Sequence, residues 1–118
     1  MRIVGQGMFG SGSDKLQTSF STPLTRVASA LNGAAGNVII VGHSDNVPIR
    51  SSRFPSNMHL SLARATSVMK SLAGQLDNPE RMSAEGRADK QPLASNDTRE
   101  GRAKNRRIEI VLVRESAG

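Results

Sequence analysis

Val38-Ile39-Ile40-Val41-Gly42-His43-Ser44-Asp45-Asn46 is the stretch that decides the fold. Its first four residues are β-branched with no polar alternation, the pattern of a strand covered on both faces, and turn-forming residues then take over. A covered strand needs partners. Toward the amino terminus, Thr22-Pro23 reads as an N-cap followed by proline at the first helical position, and Leu24, Val27, Ala28 and Leu31 recur at helical spacing until Asn32-Gly33. Before that helix, Met1 to Val4 reads as a strand and Gly5 to Ser13 as a loop with four glycines around Met8 and Phe9. Toward the carboxyl terminus, Asp45 to Pro55 has no apolar period and reads as an exposed loop. A long helix begins at Asn57, its stripe marked by Leu60, Ala63, Val68, Met69, Leu72 and Leu76, and ends before Asn78-Pro79. Met82 to Glu85 is a short strand, Gly86 to Asp97 a loop, and Thr98 to Asn105 a short helix capped by Asp97 or Thr98. In the final strand Ile108, Ile110 and Leu112 alternate with Glu109, Val111 and Val113. This order predicts an α/β layer, with helices packed on a mixed sheet.

The chain has 118 residues, a length suited to one domain, residues 1–118, and it has no linker or internal repeat. Aromatics are 3% of it, so the core is built from Val, Ile, Leu, Met and Ala. No cysteine is present, which removes disulfides, thiolate nucleophiles and thiolate metal sites. No apolar run approaches the roughly 18 residues of a membrane helix, and no charged-then-apolar segment at the start resembles a signal peptide. Met1-Arg2-Ile3-Val4 begins as if inside a strand, suggesting a domain of a longer protein. The formal charge of +6 favours an anionic partner, whether nucleic acid, membrane surface, acidic polymer or carboxylate ligand.

Three constellations bear on function. In Gly42-His43-Ser44-Asp45-Asn46, at the end of the central strand, Asp45 and Asn46 serve either as turn formers or as ligand contacts beyond a strand's carboxyl end. A hydrolase reading fails there, since the closing glycine of a nucleophile elbow is missing. Zinc held by His43, Asp45 and His59 competes with a structural role for both histidines. In Asn57-Met58-His59-Leu60-Ser61-Leu62-Ala63-Arg64-Ala65, Arg64 lies two turns into a helix and leans back toward its start. If that start faces the central strand's end, Asp45 and Arg64 form a plus and minus pair suited to a zwitterion, with an ordinary salt bridge as the alternative. The third constellation is basic: residues 87–114 hold eight of the sixteen Lys and Arg side chains. Interleaved acids and the lack of aromatic stacking platforms argue against nucleic acid and for a solvated face. Nothing pairs a nucleophile with a positioned base, so the chain does not read as an enzyme.

Together these segments resemble the OmpA-like peptidoglycan-binding domain, with its strand ending in G-H-T-D, then N-x-x-L-S-x-x-R-A, then N-x-T-x-E-G-R-A-x-N-R-R-V-E-I. Gly42-His43-Ser44-Asp45 differs by Ser for Thr, Asn57 to Ala65 fits every fixed position, and Asn96 to Ile110 differs by Ile for Val. Phe9-Gly10-Ser11-Gly12-Ser13 looks like the family's F-x-x-G-S lead-in. The resemblance implies a two-layer α/β (α+β) sandwich, a mixed sheet of about four strands against two main helices and a short C-terminal helix. It implies non-covalent binding of the meso-diaminopimelate stem of peptidoglycan, with Asp45 on the amino group and Arg64 on the carboxylate. Ser44, Asn46, Leu60 and Ser61 would line the pocket. Asn57 would cap or orient the helix, Arg107 would approach the stem or brace the site, and Arg102 and Arg106 would be structural first.

The loop from Asp45 to Asn57 resembles two subgroups, the flagellar stator protein MotB and the type VI secretion protein TssL. The Pro48-Ile49-Arg50 start and the Arg53 to Ser61 end look more like TssL, with Ala84 to Asp89 and Pro92-Leu93-Ala94. That resemblance implies a periplasmic domain of an inner-membrane protein of a Gram-negative bacterium, tethered by a helix outside this sequence. Its partners would be peptidoglycan and other envelope subunits of the secretion complex, with a homodimer possible and with no nucleic acid, cofactor or metal. A module that has lost or closed its site is the alternative, with Arg50 or Arg53 competing for Asp45.

Overall fold

The computed structural model describes residues 2–10, 12–49 and 53–113. Strands β1 (Arg2–Gln6), β2 (Asn37–His43), β3 (Met82–Ala88) and β4 (Arg107–Val113) form one mixed sheet in the order β1-β4-β2-β3. β2 pairs parallel with β3 and antiparallel with β4, and β1 pairs antiparallel with β4. Helices α1 (Ser21–Asn32), α2 (Asn57–Ala73) and the short α3 (Arg99–Asn105) complete the two-layer α/β fold that the sequence predicts.

Helices α1 and α2 each turn an apolar stripe into the core. Leu24, Ala28 and Leu31 of α1, and Leu60, Ala65, Val68 and Leu72 of α2, are buried. All but Leu60 join Val38, Ile40, Ile108, Ile110 and Leu112 in one core cluster. Burying each of these large side chains contributes about 1.5–3 kcal/mol, which offsets the conformational entropy lost on ordering so short a chain. Val41 is as fully buried, on the face it shares with Glu109 through the β2–β4 register.

Several element ends differ from the sequence-based expectation. α1 starts at Ser21, because a 3-10 turn at Thr18–Phe20 runs straight into it, so Thr22 is no cap. α2 stops at Ala73, where Gly74 ends it, and Leu76 is buried from the following turn. β3 extends past Glu85 to Ala88, because the parallel register with β2 continues across a bulge at Gly42/His43. Glycine permits that extension. A Cβ on Gly86 would lie 2.7 Å from the Leu62 amide nitrogen, and one on Gly42 would collide with the Ser61 carbonyl. The backbone of α2 therefore rests directly on the ends of β2 and β3, fixing where its second turn sits relative to the residues after β2. Met1 and Arg50, to which the sequence reading gave roles, lie outside the described residues.

Candidate functional site

Where β2 ends, Ser44 donates its amide to the Ala88 carbonyl at 2.8 Å, which ties the chain to the end of β3. Asp45 follows, its side chain only 10% exposed. Its Oδ1 accepts the Val47 amide at 3.0 Å, closing a turn, and Oδ2 receives Arg106 Nη1 at 2.6 Å. Asn57 secures the same loop from α2: its Nδ2 donates to the Val47 carbonyl at 2.9 Å and lies 3.5 Å from that of Asp45. The cap of α2 is Ser56, whose hydroxyl accepts the His59 amide at 3.3 Å, so Asn57 orients the loop and does not cap the helix.

Arg64 reaches back from α2 as its helical position requires, and its partners come from the glycine-rich loop. Nε donates to the Ser13 carbonyl at 2.8 Å and Nη2 to that of Gly10 at 3.0 Å, while the Phe9 ring centre lies 5.4 Å from Cζ. Ser67, one turn later, donates to the Asp14 carbonyl at 2.7 Å. Burial first, then the charge of Arg106, lowers the Arg64 pKa from its ordinary value, with Asp14 and Asp45 opposing that shift. Asp45 and Arg64 thus face one space without pairing directly, and the carboxylate is matched by Arg106 instead.

That space is a cleft of about 810 Å³ between the glycine-rich loop and the loop after β2. Asp45, Arg64 and Arg106 supply its charges, and Phe9, Ile49 and Leu60 are among its apolar walls. The two loops are joined at the rim by Arg53 and Asp14, with nitrogen–oxygen distances of 3.0 and 3.1 Å, so Arg53 is engaged away from Asp45. Of the residues expected at the site, Ser44, Asp45, Asn57, Leu60, Arg64 and Arg107 border the cleft. Asn46 is exposed outside it, and Ser61 is buried beneath it. The Ser61 hydroxyl donates to the Met58 carbonyl and accepts the Ala88 amide at 3.2 Å, which supports the β3 end holding Ser44. Ala88 occupies this junction at φ 49°, a left-handed conformation that the surrounding bonds impose.

Arg107 braces. Its guanidinium donates to Glu109 Oε2 at 2.7 Å, on the sheet face opposite Ile108 and Ile110, and to the Gln91 and Asn105 carbonyls at 2.9 and 3.3 Å. His43 shares that face, with Nε2 3.3 Å from Glu109 Oε2, but neither ring nitrogen has hydrogen-bond geometry to a partner among the described residues. Desolvation, then Arg107, lowers the His43 pKa to about 4, against the opposing pull of Glu109. His59 is engaged with the Ser56 hydroxyl at 2.7 Å, so His43, Asp45 and His59 do not converge on a metal position. Arg106, which the sequence reading assigns to structure first, instead borders the cleft and pairs with Asp45. Arg106 sits in the bend after α3 and Arg107 opens β4, so the two adjacent arginines meet different partners, and no local pattern tells them apart.

A second hollow, about 680 Å³, lies at the other end of the molecule between the α1–β2 turn and the segment after α2. Its arginine is fully committed: Arg81 donates to the carbonyls of Leu31, Ala34 and Gly36 at 2.7, 2.7 and 2.8 Å. It acts as a staple on the end of α1.

Comparison with known proteins places these features in a family. The model of the OmpA family matches residues 8–106. Motility protein B of Bacillus subtilis is 47% identical over 81 residues, covering 65% of this chain and 30% of the relative. The probable lipoprotein YiaD of Escherichia coli is 35% identical, over 88% of this chain and 46% of its own. The chain thus spans less than half the length of these curated relatives. Among solved structures, the cell wall anchor of the T6SS from Pseudomonas aeruginosa superimposes with a TM-score of 0.89 at 42% identity, covering 97% of this chain and 81% of that one. A periplasmic domain of Helicobacter pylori MotB gives a TM-score of 0.84 at 27% identity, over 92% and 73%.

Proposed function

The chain belongs to the OmpA family, and from that premise we propose that it binds peptidoglycan non-covalently through the meso-diaminopimelate of the stem peptide. The observation that carries this reading is a single cleft holding a largely buried carboxylate, Asp45, and a guanidinium, Arg64, that keeps one nitrogen without a partner among the described residues. Diaminopimelate ends in an amine and a carboxylate on one carbon. The ammonium replaces Arg106 on Asp45, the carboxylate takes the open end of Arg64, and the methylenes lie along Leu60 and Ile49. Ser44, Asn57 and Ser61 hold Asp45 in place, Arg107 braces the start of β4 next to Arg106, and Asn46 flanks the entrance. Binding of this kind needs no bond-making groups, in keeping with a module that is not an enzyme.

The likeness to a T6SS cell wall anchor over nearly the whole chain supports assigning this domain to a type VI secretion envelope complex of the TssL kind. In that setting it is a periplasmic domain of an inner-membrane protein, fixing the complex to the wall beside other subunits or a second copy of itself. The identity to Motility protein B supports the flagellar stator reading as the alternative. Arg106 on Asp45 favours a further reading, an interaction module whose site is closed. Co-sedimentation with purified sacculi tests the proposal. The wild type pellets, Asp45→Ala and Arg64→Ala stay in the supernatant, and both variants keep the wild-type circular dichroism spectrum. Pelleting of both variants refutes the site, and failure of the wild type to pellet supports the closed module.

A further inference from the structure

Resting on the reading of Arg64 as the carboxylate donor, we propose that Phe9 is a positioning residue of the binding site. Its ring and the carbonyls of Gly10 and Ser13 form a cradle that leaves only one edge of the Arg64 guanidinium open to a ligand.

A guanidinium carries five N–H donors in one plane and can take a carboxylate along either of two edges. In this chain the Nε–Nη2 edge is filled, by Ser13 at 2.8 Å and Gly10 at 3.0 Å. Nη1 has no hydrogen-bond partner among the described residues, so the Nη1–Nη2 end is what remains. Two bonds along one edge act as a hinge, about which the plane can still tilt. The Phe9 ring, 5.4 Å from Cζ, stops that tilt from one face. It is itself held independently of Arg64, since Phe9 forms a β-bridge with Leu16 and packs against the core cluster. Ser67 ties the end of the same loop to α2 one turn beyond Arg64. Because the Arg64 charge is partly desolvated, its attraction to the ring face is stronger than that of an exposed pair.

The competing role for Phe9 is simple apolar filling, which leucine performs nearly as well and which does not depend on a π face. Calorimetry with a diaminopimelate-containing muropeptide separates the two, using the wild type, Phe9→Leu, Phe9→Tyr and Arg64→Gln, with circular dichroism and Tm recorded for each. Phe9→Leu is expected to weaken binding roughly three- to tenfold while remaining folded, and Phe9→Tyr to stay within about twofold of the wild type. Arg64→Gln is expected to weaken binding more than either. Unchanged affinity in Phe9→Leu, or equal losses in the Leu and Tyr variants, overturns the positioning role and leaves the Arg64 reading standing. Wild-type affinity in Arg64→Gln, or no binding by the wild type, overturns that reading itself. Should Phe9→Leu fail to fold, the Arg64 Nε–H resonance of the ligand-free wild type decides. A ring-current shift with slow exchange supports the cradle, and a random-coil shift with fast exchange overturns it.

Discussion

His43 gives the structure a stability profile that can be calculated and checked. The His43 side chain is 1% exposed, and burial beside Arg107 lowers its pKa from the ordinary 6.5 to about 4. Folding therefore favours the neutral ring. As the pH falls below 6.5 the unfolded chain takes up a proton that the folded one refuses, so stability is lost through the window down to about 4 and levels off below it. At about 1.4 kcal/mol per tenfold change in proton affinity, the loss assigned to His43 is about 3 kcal/mol as an upper figure. The assay is urea or thermal unfolding at intervals across that window for the wild type and His43→Gln, in which the ring is replaced by a group that does not titrate. Carboxylates titrate in both proteins, so the difference between the curves isolates His43. The wild type should lose up to about 3 kcal/mol more than the variant, about 4 °C of Tm for each kcal/mol. Parallel curves would refute the claim that burial holds His43 neutral.

Other consequences follow from particular contacts. Arg81→Met removes three bonds, one to Leu31 at the end of α1 and two to Ala34 and Gly36 in the turn that follows, and should cost about 2–3 kcal/mol in urea unfolding, with sacculus binding unchanged because the staple is remote from the cleft. Gly42→Ala places a methyl against the Ser61 carbonyl; a loss of about 1–3 kcal/mol is expected, and binding should weaken because α2 carries Arg64. Arg106→Gln removes the cation resting on Asp45 at a cost of about 1 kcal/mol or less, since Arg106 is 44% exposed. Muropeptide affinity by calorimetry should then rise severalfold, whereas a fall would show that Arg106 holds the ligand.

The sequence carried the architecture because its strongest signals are periodic and local. Val38 and Ile40 of the β-branched run, and Ala65, Val68 and Leu72 of the helical stripe, fall where the core requires apolar residues. The element ends were less legible, since they depend on tertiary contacts. β3 reaches Ala88 only because Gly42 and Gly86 let α2 lie on the sheet, and no local pattern encodes that approach. The site was legible in its residues but not in its pairing. Asp45 and Arg64 do border one cleft, yet Arg64 is claimed by the carbonyls of Gly10 and Ser13, and Asp45 by an arginine 61 positions away. Long-range partners chosen among many arginines are set by loop path, which composition and spacing do not reveal.

The claim at the centre is that a carboxylate and an ammonium on one carbon are recognised together, and it is tested most directly by leaving the protein unaltered and changing the ligand. Calorimetry with two stem tripeptides, identical except for meso-diaminopimelate or lysine at the third residue, removes only the carboxylate that Arg64 is assigned. Binding should be roughly 30-fold or more weaker for the lysine peptide, the equivalent of about 2 kcal/mol for one charge-assisted pair. Equal affinity for the two peptides would contradict the account.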